Sequence, residues 1–336
     1  LKSVGVSRVS GLGILAALLG LQLKADVIYN VTIDDPDNLL AGYDDLLRST
    51  LIEAGNDWSK YLSIQPGTTT INIGISANTS IPRATGASST SDLVSILPDG
   101  TRVYEQRTGG LYRTGSAPFG SQPDAIVSIS PGYMKNELSF AAVTPSNRTD
   151  ALSVFRHELG HAIGINGFLS LTSGAVPSDS VGNFESTYDQ YIVFASDGTP
   201  WFTGTAAEQV YGDLFNGGLA APVPLTMLGG SQALYHIGNG DISTTSCPTN
   251  GLLSDLMNGV VFCRGQRYEI SELDLAILKD TGLTVDFIGK ANSPVPEPSC
   301  IVVVIAALII VRLYVARDRK GQIRAGKWWA LENSNL

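Results

Sequence analysis

Two histidines and a glutamate stand at the spacing H-E-x-x-H, in the segment from His157 to His161. On an α-helix, residues i and i+4 lie on one face, so His157 and His161 can present two imidazole nitrogens to one metal ion. Glu158 stands beside them, where its carboxylate can take the proton of a catalytic water. The pattern therefore predicts a catalytic Zn²⁺ site with Glu158 as the general base.

The residues on either side of this motif predict the helix that it requires. Apolar side chains recur at a spacing close to 3.6 residues between positions 151 and 163. Thr149 or Asp150 can cap the helix at its start, and Gly164 can end it with a positive φ angle. Such an apolar helix is expected to be buried. Buried imidazole and carboxylate groups need a partner, and a metal ion supplies one.

A third ligand must come from elsewhere, because a catalytic zinc site usually has three protein ligands and one open position for water. The metzincin motif H-E-x-x-H-x-x-G-x-x-H carries its third histidine at the position that Gly167 occupies here, so this close-spaced form is excluded. The chain has three histidines in all, which leaves His236 as the one histidine still available. Glu185 is the rival candidate.

The order of residues after the motif resembles that of the leishmanolysin-like metzincins, in which a long segment separates the motif glycine from the third histidine. The resemblance covers residues 150–283 and implies that His236 is the third zinc ligand. It also implies that Met257 lies in a turn beneath the metal and that substrate binds extended along an edge strand. The implied activity is hydrolysis of peptide bonds in a protein or peptide, with Zn²⁺ as the cofactor. The positions that carry the resemblance are His157, Glu158, His161, Gly164, His236 and Met257.

A resemblance to gluzincins supports the rival ligand. In that family a glutamate further along the chain completes the site, and an aspartate four residues later orients a ligand histidine. Glu185 and Asp189 stand 24 and 28 residues after His161. This interpretation leaves Gly164 and Met257 without a role. In either scheme, Asp189 can orient a ligand from outside the coordination sphere.

The competing function is that of a non-catalytic cell-surface or matrix protein that keeps zinc for structure. Glu158 weighs against it, because a structural site does not need a general base. In the catalytic interpretation, Glu158 takes a proton from water and later delivers it to the leaving amine. Tyr268, near the expected turn at Met257, is a candidate for stabilising the oxyanion.

The remaining pattern predicts an α+β fold, a metzincin-like zincin with a twisted mixed sheet, an active-site helix and a loop-rich C-terminal subdomain. We expect an N-terminal subdomain over 26–165 that carries the motif. A C-terminal subdomain over 166–286 is expected to carry the third ligand and the methionine turn.

Apolar spacing predicts the individual elements. Strands are expected at Val27–Val31, Ile71–Ile75 and 124–130. Helices are expected over 44–62, 150–163 and 271–281, with at least one helical turn over 208–214. Ser271 and Asp274 predict a capping box for the last helix. The stretch 78–123 is expected to be irregular with hairpin elements, and 188–195 to be a helix or a strand.

The N-terminal segment predicts export. Residues 1–25 combine Lys2 and Arg8 with an apolar run and are expected to be a secretory signal peptide that is cleaved near Ala25. The apolar run is short for a membrane-spanning helix, which favours cleavage over anchoring.

The C-terminal segment begins with a linker over 287–298 and continues with an apolar and then basic segment over 299–320. Pro296-Glu297-Pro298, the apolar run and the basic cluster resemble the bacterial PEP-CTERM sorting signal, as in exported bacterial zinc peptidases with such tails. The resemblance implies transient anchoring in the inner membrane, processing by an exosortase-like enzyme, and release to the cell surface or exterior. The tail over 321–336 departs from that signal, which usually ends just after the basic cluster.

The composition of the predicted mature region, 26–298, excludes one class of partner. It contains 13 Lys and Arg residues against 29 Asp and Glu, a formal charge of −16. This acidity argues against nucleic acid as a partner. Cys247 and Cys263 can pair in an oxidising compartment and close a loop worth ~3 kcal/mol in the chain-entropy model. Cys300 falls in the apolar segment and is expected to be a small apolar filler.

Overall fold

The computed structural model describes residues 26–63, 68–116, 123–230, 232–238, 251–259 and 262–287, which belong to one compact unit ending at Phe287. The predicted signal peptide, the PEP-CTERM-like segment, the tail and residues 288–298 of the linker lie outside the described residues, as do Cys247 and Cys300. No helix within the described ranges is long and apolar enough to cross a bilayer.

The described part of the chain is α+β, as predicted. Its helices are Asp44–Ser59 (α1), Arg107–Thr114 (α2), Pro131–Asn136 (α3), Ala151–Ile163 (α4), Thr205–Phe215 (α5) and Glu272–Asp280 (α6). Its strands up to the metal-motif helix are Asp26–Asp34 (β1), Thr68–Ala77 (β2), Ala84–Ser88 (β3), Ser91–Ile96 (β4), Arg102–Gln106 (β5), Ala125–Ile129 (β6), Leu138–Ser139 (β7) and Thr149–Asp150 (β8). The later strands are Ser178–Asp179 (β9), Gly182–Ser186 (β10), Ile192–Phe194 (β11), Pro200–Phe202 (β12) and Val223–Pro224 (β13).

One four-stranded mixed sheet has the strand order β1-β2-β6-β3. Strands β1, β2 and β6 run parallel, and β3 pairs antiparallel with β6 at the edge. Alternate residues of β2, namely Ile71, Ile73 and Ile75, are buried, which is the period of two that predicted this strand. Leu51 and Trp58 of α1 are also fully buried, so this helix covers the sheet with its apolar face.

Helix α4 carries the metal motif, and its start follows the predicted capping. The Asp150 carboxylate accepts a hydrogen bond from the Ser153 N–H at 2.9 Å, which satisfies one of the unpaired donors of the first turn. Its end differs from the prediction. Gly164 has φ 172°, which is extended rather than positive. A Cβ at Gly164 would lie 3.1 Å from Leu278 Cδ2, so glycine here allows helix α6 to pack closely.

The region 78–123 is more regular than predicted. It contains the expected hairpin, β4–β5, but also the edge strand β3 and helix α2. Helix α2 includes Gly109 and Gly110, which disfavour a helix intrinsically and obscured its pattern. Tertiary packing explains Gly109, since a Cβ there would lie 2.3 Å from the carbonyl oxygen of Ile163.

The chain after α4 consists mostly of short strands and loops. The segment 188–195 forms a 3₁₀ turn, Asp189–Tyr191, followed by β11. Helix α5 is longer than the single turn that its pattern required. Helix α6 begins with the predicted capping box, in which Ser271 and Asp274 exchange side-chain-to-backbone hydrogen bonds.

Candidate metal centre

The three histidines of the chain meet at one point. The Nε2 atom of His157 lies 3.1 Å from that of His161 and 3.1 Å from that of His236. The third side of this triangle, between His161 and His236, measures 3.2 Å. All three side chains are buried, and they form the group within the described residues that could hold a metal ion.

The opposite ring nitrogens show which atoms are free to bind a metal. The Nδ1 atoms of His157, His161 and His236 lie 2.7 to 2.9 Å from the carbonyl oxygens of Leu256, Ile165 and Gln232, respectively. A carbonyl oxygen only accepts, so each Nδ1 carries the proton and each Nε2 carries a lone pair. Three lone pairs converge within 3.2 Å and repel one another. A cation between them turns this repulsion into attraction.

The electrostatics of the site favour neutral, metal-binding imidazoles. Burial, with a smaller contribution from His161, lowers the pKa of His157 to about 3. Burial also lowers the pKa of His161 to about 4 and holds that of His236 well below its usual value. At neutral pH, protons therefore do not compete with a metal for the three Nε2 atoms.

Helix α4 packs against Met257 at Gly160. Met257 is fully buried, and a Cβ at Gly160 would lie only 2.7 Å from its Sδ. The glycine between the two helical histidines thus lets the methionine pack directly beneath them. The Met257 carbonyl also accepts a hydrogen bond from the Ile237 N–H at 2.9 Å. Met257 is therefore bonded through its backbone to the residue that follows His236.

Glu158 lies beside the histidine triangle and faces the edge strand β3. Burial raises the pKa of Glu158 to about 8, and a hydrogen bond from the Gly86 backbone opposes this shift. At neutral pH without a metal, the protonated acid is therefore favoured. Strand and helix approach closely at this point, because a Cβ at Gly86 would lie 2.1 Å from the Glu158 carbonyl oxygen.

Two cavities flank Glu158 and His157. One has a volume of 310 Å³ and extends past the other two histidines, and the second has a volume of 210 Å³. Ala84 and Thr85 of β3 line both, so the start of the edge strand is shared by the two cavities. Residues that line only the larger cavity include Gly86, Asn166, Leu169 and Tyr235, and those that line only the smaller one include Arg83, Tyr133, Val154 and Phe262.

The structure separates the rival ligand from this centre. Glu185 lies in β10, where it is paired in register with Val103 of β5, and it is not part of the metal-binding group. Burial raises the pKa of Glu185, and a hydrogen bond with Gln190 opposes this shift. A histidine at position 167 would require Asp189 to move, since a Cβ there would lie 2.0 Å from an Asp189 oxygen.

Tyr268 does not face the centre as an oxyanion-stabilising group would. Its hydroxyl accepts a hydrogen bond from the Cys263 N–H at 3.1 Å, and it lines neither cavity. Cys263 itself is disulfide-bonded. Its predicted partner, Cys247, lies outside the described residues.

Sequence reasoning missed Gly86, Gln232 and Tyr235, which line the larger cavity. Gln232 and Tyr235 both precede His236, by four residues and by one, so the histidine itself was the available signal. Gly86 lies in a stretch rich in Gly, Ser and Thr, where no apolar alternation marks the strand. No protein-family model matches the chain, and no curated protein matches it at a significant level.

Proposed function

We propose that the protein is a zinc-dependent endopeptidase of the metzincin type. The observation that carries this proposal is the triangle of Nε2 atoms beside a buried glutamate. Tetrahedral zinc with Zn–N bonds of 2.0–2.1 Å requires nitrogens about 3.3 Å apart, close to the 3.1–3.2 Å in this chain. Three histidines that leave a fourth position open are a ligand set of catalytic rather than structural zinc.

Glu158 is the residue that moves protons in this proposal. When bound, Zn²⁺ polarises the scissile carbonyl and lowers the pKa of a water molecule. The Glu158 carboxylate accepts the proton of the attacking water and then delivers it to the leaving amine. Burial already raises the pKa of this carboxyl towards neutrality, which suits a group that must both accept and release a proton.

Strand β3 is the element that would hold the substrate. Among the described strands it is the last of its sheet and pairs with β6, and its residues Ala84 and Thr85 line both cavities. A peptide that binds in an extended conformation can pair with such an edge through backbone hydrogen bonds. Side chains on either side of the scissile bond would then enter the two cavities that flank Glu158.

The decisive experiment combines metal analysis with digestion of a peptide library by the zinc-loaded protein. We expect one zinc per chain and cleavage products in the wild type. The Glu158→Gln variant should retain zinc and lose cleavage, while Glu185→Gln, which changes a carboxylate outside the metal group, should retain both. Stoichiometric zinc without cleavage in the wild type would support a structural zinc protein instead. Full activity in Glu158→Gln would overturn the mechanism.

A further inference from the structure

Two consecutive residues, Tyr188 and Asp189, lie between β10 and β11 and belong to none of the elements that carry the histidines. Both are buried, with 0% and 4% of their surface exposed. Asp189 does not contact a histidine, unlike the orienting aspartate that the gluzincin resemblance implied. Its position near the third ligand therefore needs a different explanation.

The Asp189 carboxylate joins three segments of the chain. One oxygen accepts hydrogen bonds from the Phe168 N–H at 2.8 Å and the Ser186 N–H at 2.9 Å. The other lies 3.2 Å from the Tyr235 hydroxyl, which is itself 3.3 Å from the Leu169 carbonyl oxygen. A phenol proton bonds more strongly to a carboxylate than to a neutral carbonyl. Asp189 thus links the chain just after α4 to the residue that precedes His236.

Tyr188 holds the adjacent residue. Its hydroxyl donates a hydrogen bond to the Leu234 carbonyl oxygen at 3.2 Å. Leu234 has φ 66°, a left-handed conformation that a leucine adopts only where surrounding contacts impose it. Residues 188 and 189 therefore bind residues 234 and 235 in order, immediately before the third ligand.

The conformation of this turn decides where the His236 ring points. The Nδ1 of His236 lies 2.9 Å from the Gln232 carbonyl oxygen, a partner within the same turn. The His236 backbone is held on its other side, where its carbonyl oxygen accepts from the Thr226 N–H at 2.9 Å. A shift of Tyr235 would move the ring away from the other two Nε2 atoms.

We propose that Asp189 is a positioning residue that places His236 for metal binding by holding Tyr235. This inference rests on the proposed metal centre, but not on peptidase activity. All partners of the Asp189 side chain within the described residues are neutral donors, so its role does not depend on a salt bridge. The same carboxylate lies in the space that a side chain at position 167 would need. One side chain thus opposes a ligand at position 167 and helps to position His236.

The test compares Tyr235→Phe, Asp189→Ala and Asp189→Asn with Tyr112→Phe, which removes a buried, hydrogen-bonded hydroxyl from helix α2. Zinc affinity is measured by competition with a chromophoric chelator, coordination by the visible spectrum of the Co²⁺-loaded protein, and stability by thermal unfolding of the metal-free protein. We expect Tyr235→Phe and Asp189→Ala to weaken zinc binding by roughly 10- to 100-fold and to change the Co²⁺ spectrum. Asp189→Asn should largely restore both, because its oxygen can accept from the two N–H groups while its amide donates to Tyr235.

Two results would overturn the inference. One is zinc affinity and a Co²⁺ spectrum in Tyr235→Phe that equal those of the wild type. The other combines two findings. Asp189→Asn does not restore the zinc affinity that Asp189→Ala loses, and Tyr235→Phe lowers the thermal stability much more than Tyr112→Phe does. A wild type that binds zinc without cleaving peptides would contradict the proposed peptidase but leave these measurements interpretable.

Discussion

The carbonyl oxygen of Glu158 occupies the space that a Cβ on Gly86 would need, at a separation of 2.1 Å. The edge strand and the metal-motif helix therefore touch backbone to backbone at the residue proposed as the general base. The Gly86 backbone also donates a hydrogen bond to the Glu158 carboxylate. Gly86 thus sets both the distance between β3 and α4 and the hydrogen bonding of the Glu158 carboxyl group.

Replacing Gly86 with alanine should separate β3 from α4. We expect the free energy of unfolding to fall by about 1–3 kcal/mol, because backbone atoms must move to accept the methyl group. Displacement of Glu158 should also lower kcat, by up to about 100-fold. The control is Gly132→Ala in helix α3, where a Cβ would meet nothing closer than the Ser130 hydroxyl oxygen at 3.9 Å. Equal stability and kcat in both variants would contradict this account.

Removing the third histidine should remove the metal. His236→Ala leaves two imidazoles, and we expect zinc affinity to fall by about 100-fold or more, beyond the loss typical of outer partners. Glu185→Ala should bind zinc as the wild type does, because Glu185 lies outside the metal group. Equilibrium dialysis with zinc analysis measures both. Zinc lost in Glu185→Ala and kept in His236→Ala would reverse the ligand assignment.

The close contact between Gly160 and Met257 should appear as thermodynamic coupling. Gly160→Ala alone is expected to destabilise the metal-free protein by about 1–3 kcal/mol through overpacking, and Met257→Ala by about 2–5 kcal/mol through a cavity. The double variant should be less destabilised than the sum, by about 0.5–3 kcal/mol, since the new methyl group enters the space that the methionine leaves. Chemical denaturation measures the cycle. Gly132→Ala with Met257→Ala is the additive control, and additivity in both cycles would refute the contact.

The acid pair Asp255 and Asp274, next to Met257, should make stability depend on pH. Burial and the neighbouring Asp255 raise the pKa of Asp274 well above its usual value, and burial also raises that of Asp255. The folded protein therefore retains a proton that the unfolded chain releases above the ordinary Asp pKa of about 3.9. The free energy of unfolding should fall as the pH rises from that value through the raised pKa.

Asp255→Asn should flatten this dependence, because the amide can donate to Asp274 without a titrating proton and still accept from the Met257 N–H, now bonded at 3.0 Å. Urea denaturation of both chelator-treated proteins across the acid-to-alkaline range provides the comparison. Parallel stability curves for the wild type and the variant would show that the pair does not titrate as described.

Local signals in the sequence were sufficient to predict strand β2 and the start of helix α4. The alternation of Ile71, Ile73 and Ile75 and the cap at Asp150 both appear in the structure because short-range pattern and burial agree there. The convergence of His236 with the helical pair was expected from a resemblance and from its being the one histidine left, and not from spacing. Nothing local connects residues 75 positions apart.

The sequence did not predict the edge strand β3 or helix α2, and the reason is related. Their glycines have low intrinsic propensity for strands and helices, and Gly86 and Gly109 allow close contacts with the backbone of α4. Gly164 shows the reverse error, since a residue expected to supply a left-handed angle instead makes room for Leu278. In each case a tertiary contact decided the conformation.

The separation of 75 residues between His161 and His236 has a further consequence for folding. In the denatured ensemble, His157 and His161 remain near neighbours, but the third imidazole can join them only by loop closure. For a loop of this length the entropic penalty is about 4–5 kcal/mol in the chain-entropy model. Metal ions should therefore bind the native chain far more tightly than the denatured one. By mass action, a single bound ion would therefore stabilise the native state, because it joins ligands from segments that lie far apart in the denatured chain.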